Sequence, residues 1–277
     1  MTLVSTDWLS GYLAAPDLRV VDGSWHLPAL KRNPHAEFLE SHIPGAVFFD
    51  IETIADTSVP LPHMLPSPEQ FAQAVGALGI GTGDRVVVYS RGSVTSAARV
   101  WWTFRVFGHD NVAVLDGGFG KWTREGRPVE PGAPKPRPRT FHARFRPELV
   151  RNLDRMRANV ATNAEQVVDA RPRGRFLGTE PEPRPGLRSG HIPGSVNLPP
   201  DALYRPDGTV LPPDDVRRAF AATGVDLARP LVTTCGSGVA ASGLALALHF
   251  IGCPDVAVYD GSWTEWGGRS DTPVSRA

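Results

Sequence analysis

One cysteine lies in a stretch of sequence that is well suited to covalent chemistry. Cys235 ends an apolar, β-branched run and is followed by Gly236, Ser237 and Gly238, and then by a segment rich in alanine and leucine. This order predicts a strand, a tight loop and a helix. Two glycines let backbone N–H groups converge on one point, and the helix N-terminus adds partial positive charge. Because both effects favour the thiolate, the pattern predicts a nucleophile. The alternative is a buried packing cysteine, which does not require two neighbouring glycines.

The composition of the chain limits which binding partners and which cellular compartment are expected. The 277 residues carry 29 basic and 29 acidic side chains, so no net charge draws the chain to nucleic acid or to a membrane surface. Cys235 and Cys253 are the two cysteines of the chain, which argues against a disulfide framework and against metal binding by cysteine pairs. Residues 1–8 lack the features of a signal peptide, and no apolar run approaches the roughly 20 residues of a membrane span. We therefore predict a cytoplasmic protein with a small-molecule substrate and with no metal or other cofactor.

The chain contains an internal duplication. The segment His-Ile-Pro-Gly occurs at residues 42–45 and returns at residues 191–194. Other features recur in the same order roughly 145 residues apart, which is the size of a domain rather than of a solenoid repeat. They are Val-Val-Asp at 20–22 and 167–169, and Asp-Gly followed by a tryptophan at 116–122 and 260–266. We therefore predict two tandem domains.

A proline-rich segment separates the two halves. Residues 128–139 contain prolines that support neither a helix nor a central strand, so they predict an extended, semi-rigid connector. We expect a first domain over residues 1–128, a linker over residues 129–145 and a second domain over residues 146–277.

Each half predicts alternating strands and helices. The predicted strands are 20–22, 85–89 and 112–115 in the first half, and 167–169, 231–234 and 256–259 in the second. The predicted helices begin at Ser67 and span 95–107 in the first half, and span 214–222 and 240–251 in the second. This alternation indicates an α/β fold in which each domain has a mostly parallel sheet flanked by helices. Binding crevices form at the carboxyl ends of such strands, where Cys235 is expected.

These motifs together resemble the tandem rhodanese family of sulfurtransferases. The resemblance rests on the duplicated His-Ile-Pro-Gly segments, the cysteine loop in the second half alone, and Asp-Gly-Ser-Trp-Thr-Glu-Trp at residues 260–266. It covers essentially the whole chain and implies a first domain that is non-catalytic, because residues 90–94 read Ser-Arg-Gly-Ser-Val. The loop at residues 235–239 is similar to that of the mercaptopyruvate sulfurtransferase branch. Members that prefer thiosulfate tend to carry basic residues directly after the cysteine, where this chain has Gly236 and Ser237.

The resemblance also implies a hydroxyl relay in an active cleft between the two domains. It groups Ser237, His63 and an acidic residue, which together help to protonate the departing product. The acidic position corresponds to Glu52, where relatives often have aspartate, and Asp50 is a close neighbour. Either of these carboxylates could complete the relay.

Two arginines are implied as anchors for the substrate carboxylate. Arg175 and Arg184 match the substrate loop of the family, and the guanidinium fork pairs well with planar oxyanions. From charge alone, Arg171, Arg173 or Arg188 could serve equally well.

The implied activity is sulfur transfer through a persulfide. Cys235 would attack the sulfur of 3-mercaptopyruvate, and pyruvate would leave as its enolate. The backbone N–H groups of residues 236–240, which include those of Gly236, Gly238, Val239 and Ala240, would stabilise the thiolate and the terminal sulfur. The family often has threonine at the position of Ala240, so one side-chain hydrogen bond is lost. Cyanide, a small thiol or reduced thioredoxin would accept the sulfur.

Three other functions are alternatives to sulfur transfer from mercaptopyruvate. A thiosulfate sulfurtransferase would use the same nucleophile, and a persulfide carrier would form the persulfide but turn over slowly. A cysteine phosphatase of related fold needs an arginine six positions after the nucleophile, where this chain has Ala241. The duplicated His42 and His191 and the strand-end Asp22 and Asp169 are expected to be structural.

Overall fold

The computed structural model describes residues 1–253 and 256–276 of the chain. It divides into two compact units. The first comprises Met1–Asp56, Leu65–Arg146 and Arg205–Val210, and the second comprises Thr57–Met64, Pro147–Tyr204 and the described residues of Leu211–Ala277. Each unit contains one half of the duplication and a short segment of the other half. The predicted limits of the linker, 129 and 145, remain a prediction.

The first unit has a five-stranded parallel sheet with strand order β1-β5-β4-β2-β3. Its strands are β1 (Leu3–Val4), β2 (Leu18–Asp22), β3 (Val47–Phe48), β4 (Arg85–Tyr89) and β5 (Val112–Leu115). Its helices are α1 (Thr6–Tyr12), α2 (Pro34–Glu40), α3 (Pro68–Ala77), α4 (Val94–Val106) and α5 (Gly118–Arg124), with a 3₁₀ turn at Pro28–Leu30.

The second unit repeats this architecture with strand order β6-β10-β9-β7-β8, again all parallel. Its strands are β6 (Val150–Arg151), β7 (Gln166–Asp169), β8 (Val196–Asn197), β9 (Leu231–Thr234) and β10 (Ala257–Tyr259). Its helices are α6 (Leu153–Thr162), α7 (Arg173–Leu177), α8 (Pro213–Ala221), α9 (Val239–Phe250) and α10 (Ser262–Gly268), with 3₁₀ turns at Pro147–Leu149 and Pro200–Leu203. The predicted fold class is confirmed.

Local sequence signals place the central elements well. Helix α3 begins with a full capping box between Ser67 and Gln70, and Gly79 follows it with φ of 77°. Strands β5 and β9 have their predicted limits, and α4 and α9 each begin and end one residue earlier than predicted. The sequence does not predict the outer strands β1, β3, β6 and β8, because two residues are too few to show an alternation.

Two equivalent tryptophans anchor the cores of the two units. Trp122 and Trp266 are both fully buried. Each indole Nε1 donates a 2.8 Å hydrogen bond to a proline carbonyl, that of Pro128 in the first unit and that of Pro273 in the second. A buried indole N–H needs an acceptor. In each unit, the tryptophan therefore fixes the segment that follows the unit's last helix.

The segment over residues 129–145 is extended and packs along the first unit. Its backbone N–H groups at Arg139 and Arg144 donate to Gly76 O and Phe107 O, each at 2.9 Å. Phe141 is buried. These contacts give the predicted connector a fixed path. Within the described residues, no helix is long and apolar enough to cross a membrane.

Candidate active site

Cys235 lies at the carboxyl end of β9, directly after Thr234, and only 3% of it is exposed. The loop ends at Gly238, which caps α9 with φ of 77°. Gly236, in contrast, does not adopt a positive φ. Of the two glycines, Gly238 therefore adopts a conformation that favours glycine, and Gly236 does not. A Cβ built on Gly236 would lie 3.8 Å from Arg184 Nη1, so this glycine leaves open the space between the loop and that guanidinium.

The side chain of Ser262 holds both ends of the cysteine loop. Its Oγ accepts hydrogen bonds from the N–H groups of Cys235 (3.2 Å) and Gly238 (3.0 Å), and donates to Tyr259 O (2.8 Å). The start of α10 adds two backbone bonds, from Trp263 N to Cys235 O (2.8 Å) and from Thr264 N to Gly236 O (2.9 Å). The conformation of the loop therefore depends on the segment that follows β10.

This arrangement changes the set of amides that can face an anion. The Gly238 N–H was expected to contribute, but it is bonded to Ser262 Oγ. Within the described part of the chain, no acceptor is recorded for the N–H groups of Gly236 and Ser237. The N–H groups of Val239 and Ala240 lie in the first turn of α9, where the helix provides no partner. These four amides, together with the dipole of a helix that spans Val239–Phe250, can stabilise negative charge at the sulfur.

Ser262 contacts the cysteine loop, and the sequence patterns did not single it out. Its φ is 50°, in the left-handed region that favours glycine, and it is fully buried. The corresponding residue of the first half is Gly118, with φ of 54°. Serine in this conformation costs free energy, and what it adds over glycine is the hydroxyl that binds the loop. The mismatch between Gly118 and Ser262 in the two halves is the sequence signal that could have revealed it.

Ser237 and His63 are brought together as the family resemblance implies. His63 Nδ1 and Ser237 Oγ are 3.1 Å apart, and 4% and 6% of these residues are exposed. His63 has φ of 61°, a strained value for a histidine, and its segment Thr57–Met64 belongs to the second unit. Strain of this kind persists only where the surrounding structure enforces it, and it is common at functional sites.

Glu52 belongs to the first unit, where it lies on an exposed turn. Its Oε1 accepts a 2.6 Å hydrogen bond from Trp25 Nε1, and its N–H donates to Asp50 Oδ1 at 2.9 Å. Its place in a relay with His63 remains a prediction, as does that of Asp50.

The structure separates the candidate arginines into two groups. Arg171 is buried against Asp169 and Glu182, and Arg188 donates to the carbonyls of residues 266, 267 and 272, so both are committed to structural contacts. Arg175 and Arg184 are half-buried, and no ion pair or hydrogen bond of either side chain is recorded with the described residues. Arg173 is exposed. Half-buried guanidinium groups without an internal partner are suited to bind an external anion.

The equivalent loop of the first half is closed by its own residues. Ser90 replaces the cysteine, and its Oγ donates to Ser93 O at 3.0 Å. The Arg91 guanidinium stacks 3.9 Å from the Phe119 ring and lies 3.6 Å from Asp22. Burial raises the pKa of the Asp22 carboxyl above its ordinary value, against the hydrogen bond from Ser24 and the charge of Arg91. Without a thiol, this loop cannot carry a persulfide.

The two histidines of the duplicated His-Ile-Pro-Gly segments contact backbone carbonyls, and the second cysteine lies apart from the cysteine loop in sequence. Nδ1 of His42 lies 2.9 Å from Phe38 O, and Nδ1 of His191 lies 2.8 Å from Phe176 O. Cys253 is half-buried, and its burial raises the pKa of the thiol. Among residues 1–253 and 256–276, no three histidine, cysteine or carboxylate side chains are grouped to hold a metal ion.

Comparison with known proteins matches both halves of the chain. The family model of the rhodanese-like domain matches residues 5–125 and again residues 152–269. The chain is 46% identical over 270 residues to 3-mercaptopyruvate sulfurtransferase of Homo sapiens, covering 95% of this chain and 91% of that protein. It is 47% identical over 275 residues to thiosulfate sulfurtransferase of Bos taurus, covering 97% and 92%. The crystal structure of the 3-mercaptopyruvate sulfotransferase SseA from Escherichia coli superposes with a TM-score of 0.88 at 40% identity, covering 95% of this chain and 99% of that one. Since the match covers both duplicated halves, this chain belongs to the rhodanese family and carries two rhodanese-like domains in tandem.

Proposed function

We propose that this chain is a sulfurtransferase that takes sulfur from 3-mercaptopyruvate as a Cys235 persulfide, releases pyruvate, and passes the sulfur to a thiophilic acceptor. The observation that carries this choice of donor is the contact between His63 Nδ1 and Ser237 Oγ, two residues after the cysteine. Loss of sulfur from mercaptopyruvate releases the enolate of pyruvate, which must gain a proton. Loss of sulfur from thiosulfate releases sulfite, which need not gain one.

In the first step, the Cys235 thiolate attacks the thiol sulfur of mercaptopyruvate. A sulfur–sulfur bond forms, and the carbon–sulfur bond breaks with its electron pair moving into the enolate of pyruvate. The persulfide retains the proton of the donor thiol or releases it, and the enolate takes up a proton to become pyruvate. Covalent catalysis of this kind separates release of the first product from delivery to the acceptor.

The amides of the loop would stabilise the anionic forms of the sulfur. The N–H groups of Gly236, Ser237, Val239 and Ala240 have no partner among the described residues that competes for them. Because Ser262 fixes the two ends of the loop, these donors are held in place before the reaction begins. Fixed donors of this kind stabilise developing charge without reorganisation.

Arg184 and Arg175 are assigned to the carboxylate of the donor. Arg184 Nη1 lies 3.8 Å from the position of a Cβ on Gly236, so it stands beside the loop that carries the nucleophile. Arg175, from α7, is half-buried and is also without a recorded partner in the described residues. A bidentate guanidinium–carboxylate contact orients the donor as well as binding it.

The Ser237–His63 pair would deliver the proton to the enolate. Histidine exchanges protons at neutral pH, and the serine hydroxyl can pass one on because it both donates and accepts. With Glu52 or Asp50 as a third member, the relay would be complete. The acceptor, whether cyanide, a small thiol or a protein thiol, would then attack the outer sulfur and regenerate the Cys235 thiolate.

Thiosulfate is the second candidate donor. The identity to a thiosulfate sulfurtransferase is as high as that to a mercaptopyruvate enzyme, and free arginines can bind either anion. Against it, Gly236 and Ser237 provide no basic side chain next to the nucleophile.

The two free cysteines support a reducing compartment such as the cytoplasm, which fractionation with an antibody would test.

The decisive experiment compares kcat/KM for 3-mercaptopyruvate and for thiosulfate, with cyanide as the acceptor and Cys235→Ser as the blank. We expect a clear preference for mercaptopyruvate and no activity in the serine variant. A preference for thiosulfate would overturn the donor assignment while retaining the nucleophile. If neither donor turns over although mass spectrometry shows a Cys235 persulfide, the protein is a sulfur carrier.

A further inference from the structure

The side chain of Arg171 is the centre of a buried ionic network in the second unit. Its Nη2 lies 2.7 Å from Asp169 Oδ2, and its Nη1 lies 2.6 Å from Glu182 Oε1. The side chains of Arg171, Asp169 and Glu182 are 2%, 1% and 4% exposed. The guanidinium also donates to Gly190 O at 2.8 Å and stacks 4.1 Å from the ring of Trp263. Burial disfavours the charged guanidinium, but the two carboxylates outweigh it and raise the pKa of Arg171.

Glu182 ties residues 181–187 to this network, while Leu187 packs against the hydrophobic core at the end of the same loop. Residues 181–187 contribute no backbone hydrogen bond to the described structure, and the Glu182–Arg171 contact is their one recorded polar anchor there. The loop belongs to no helix or strand. Arg184 follows two residues later, within the roughly 7 Å that two extended residues can span. Its position beside Gly236 therefore depends on where Glu182 is held.

The first unit shows that the fold does not need the second carboxylate. There, Arg91 comes from a different loop, the one equivalent to the cysteine loop, and lies 3.9 Å from the Phe119 ring, the counterpart of Trp263. The one carboxylate recorded beside Arg91 among the described residues is Asp22, at 3.6 Å. The same sheet topology forms there without a recorded second carboxylate, so the topology alone does not require Glu182.

We propose that Glu182, held by Arg171, is a positioning residue that fixes Arg184 beside the cysteine loop and so sets the affinity for donors that carry a carboxylate. This inference rests on the proposed function, because it assumes that Arg184 contacts the donor.

The test replaces Glu182 by glutamine and uses Glu180→Gln as the matched control. Glutamine keeps an oxygen acceptor for Arg171 but removes the charge, so the fold is expected to persist. Glu180 lies in the same segment, is exposed and makes no recorded ion pair with the described residues, so its substitution changes net charge equally. Glu182→Asp is a second variant that keeps the charge but shortens the side chain. The unfolding temperature of each variant is measured first.

Two readouts separate positioning from general destabilisation. In steady-state assays, we expect Glu182→Gln to raise KM for 3-mercaptopyruvate about three- to tenfold, the range expected for ordering one long side chain on binding, with little change in kcat. In the second assay, the Cys235 thiolate displaces iodide from iodoacetate, which carries a carboxylate, or from neutral iodoacetamide. We expect Glu182→Gln and Arg184→Ala to slow reaction with iodoacetate relative to iodoacetamide, whereas Glu180→Gln leaves the ratio at the wild-type value.

The outcomes distinguish the two levels of the proposal. If Glu182→Gln and Glu182→Asp both match Glu180→Gln in KM and in the alkylation ratio, Glu182 does not position Arg184. If Arg184→Ala itself leaves the ratio unchanged, Arg184 does not recognise a carboxylate and the inference fails with it. The alkylation ratio remains measurable even if wild-type protein fails to turn over mercaptopyruvate, so failure of the proposed function is recognised separately.

Discussion

Replacing Ser262 by glycine and by alanine separates two contributions of this residue, its strained backbone and its hydroxyl. Both substitutions remove the oxygen that accepts from Cys235 N and Gly238 N and donates to Tyr259 O. Only glycine also relieves the left-handed conformation at φ of 50°. The two variants should therefore share a catalytic defect but differ in stability.

The expected magnitudes follow from these contacts. Three of the four hydrogen bonds of Ser262 Oγ are 3.2 Å or shorter, and at about 1 kcal/mol each they make Ser262→Ala less stable by roughly 3 kcal/mol. The fourth, from Thr234 Oγ1, is 3.5 Å long and adds little. Glycine recovers about 1 kcal/mol of this loss by relieving the left-handed strain. Both losses lie within the stability of an ordinary domain, about 5–15 kcal/mol, so both variants should fold. Because displacing a catalytic group by about 1 Å can cost a hundredfold in rate, we expect persulfide formation to slow by about ten- to hundredfold in both.

The assay is the release of pyruvate in a single turnover, measured below the unfolding temperature of each variant, with denaturant unfolding to give the stabilities. The control is Ser195→Ala, which removes another buried hydroxyl, bonded to Ile192 O at 2.7 Å, outside the cysteine loop. Its rate should equal that of the wild type. If Ser262→Gly also reacts at the wild-type rate, the hydroxyl does not organise the loop and the reasoning is wrong.

Three further perturbations have defined outcomes. His63→Gln should lower kcat more with 3-mercaptopyruvate than with thiosulfate, because sulfite leaves without needing a proton, and equal losses in the cyanide assay would contradict the relay. Gly238→Ala should lower the unfolding temperature, because forcing alanine to φ of 77° costs about 1–2 kcal/mol, and an unchanged midpoint would refute the left-handed cap. Burial raises the pKa of Asp116, whose Oδ1 accepts from Val210 N at 2.8 Å. Ionising this carboxyl therefore opposes folding, so the stability gained by Asp116→Asn should be absent below the ordinary carboxyl pKa of 3.8 and should grow as pH rises through the raised value. Thermal unfolding of the wild type and of Asp116→Asn across this pH range measures the difference in stability. A difference that does not change with pH would exclude a raised pKa of Asp116.

Local sequence predicts many of the helices and strands. The limits of β9, the start of α3 at its capping box and the glycines that follow α3, α4, α8 and α9 can be predicted from neighbouring residues. The reason is that backbone conformation and hydrogen bonding within a turn depend on side chains a few positions away. The duplication is also visible without a structure, since it requires only that motifs recur in order. The two-residue outer strands escape this kind of inference because they exist only through pairing with a neighbouring strand.

The candidate active site also has features that local sequence predicts and features that depend on residues far apart in the chain. The sequence by itself determined the candidate nucleophile, since the strand, loop and helix that surround Cys235 are contiguous. It could not decide among five nearby arginines, because all carry the same charge, and only burial against Asp169 and Glu182 shows that Arg171 is already occupied. It also could not reveal that Ser262, at the start of α10, holds the cysteine loop. The tertiary structure decided these points because side-chain partners far apart in sequence are chosen by the packing of strands and helices, which places β10 beside β9.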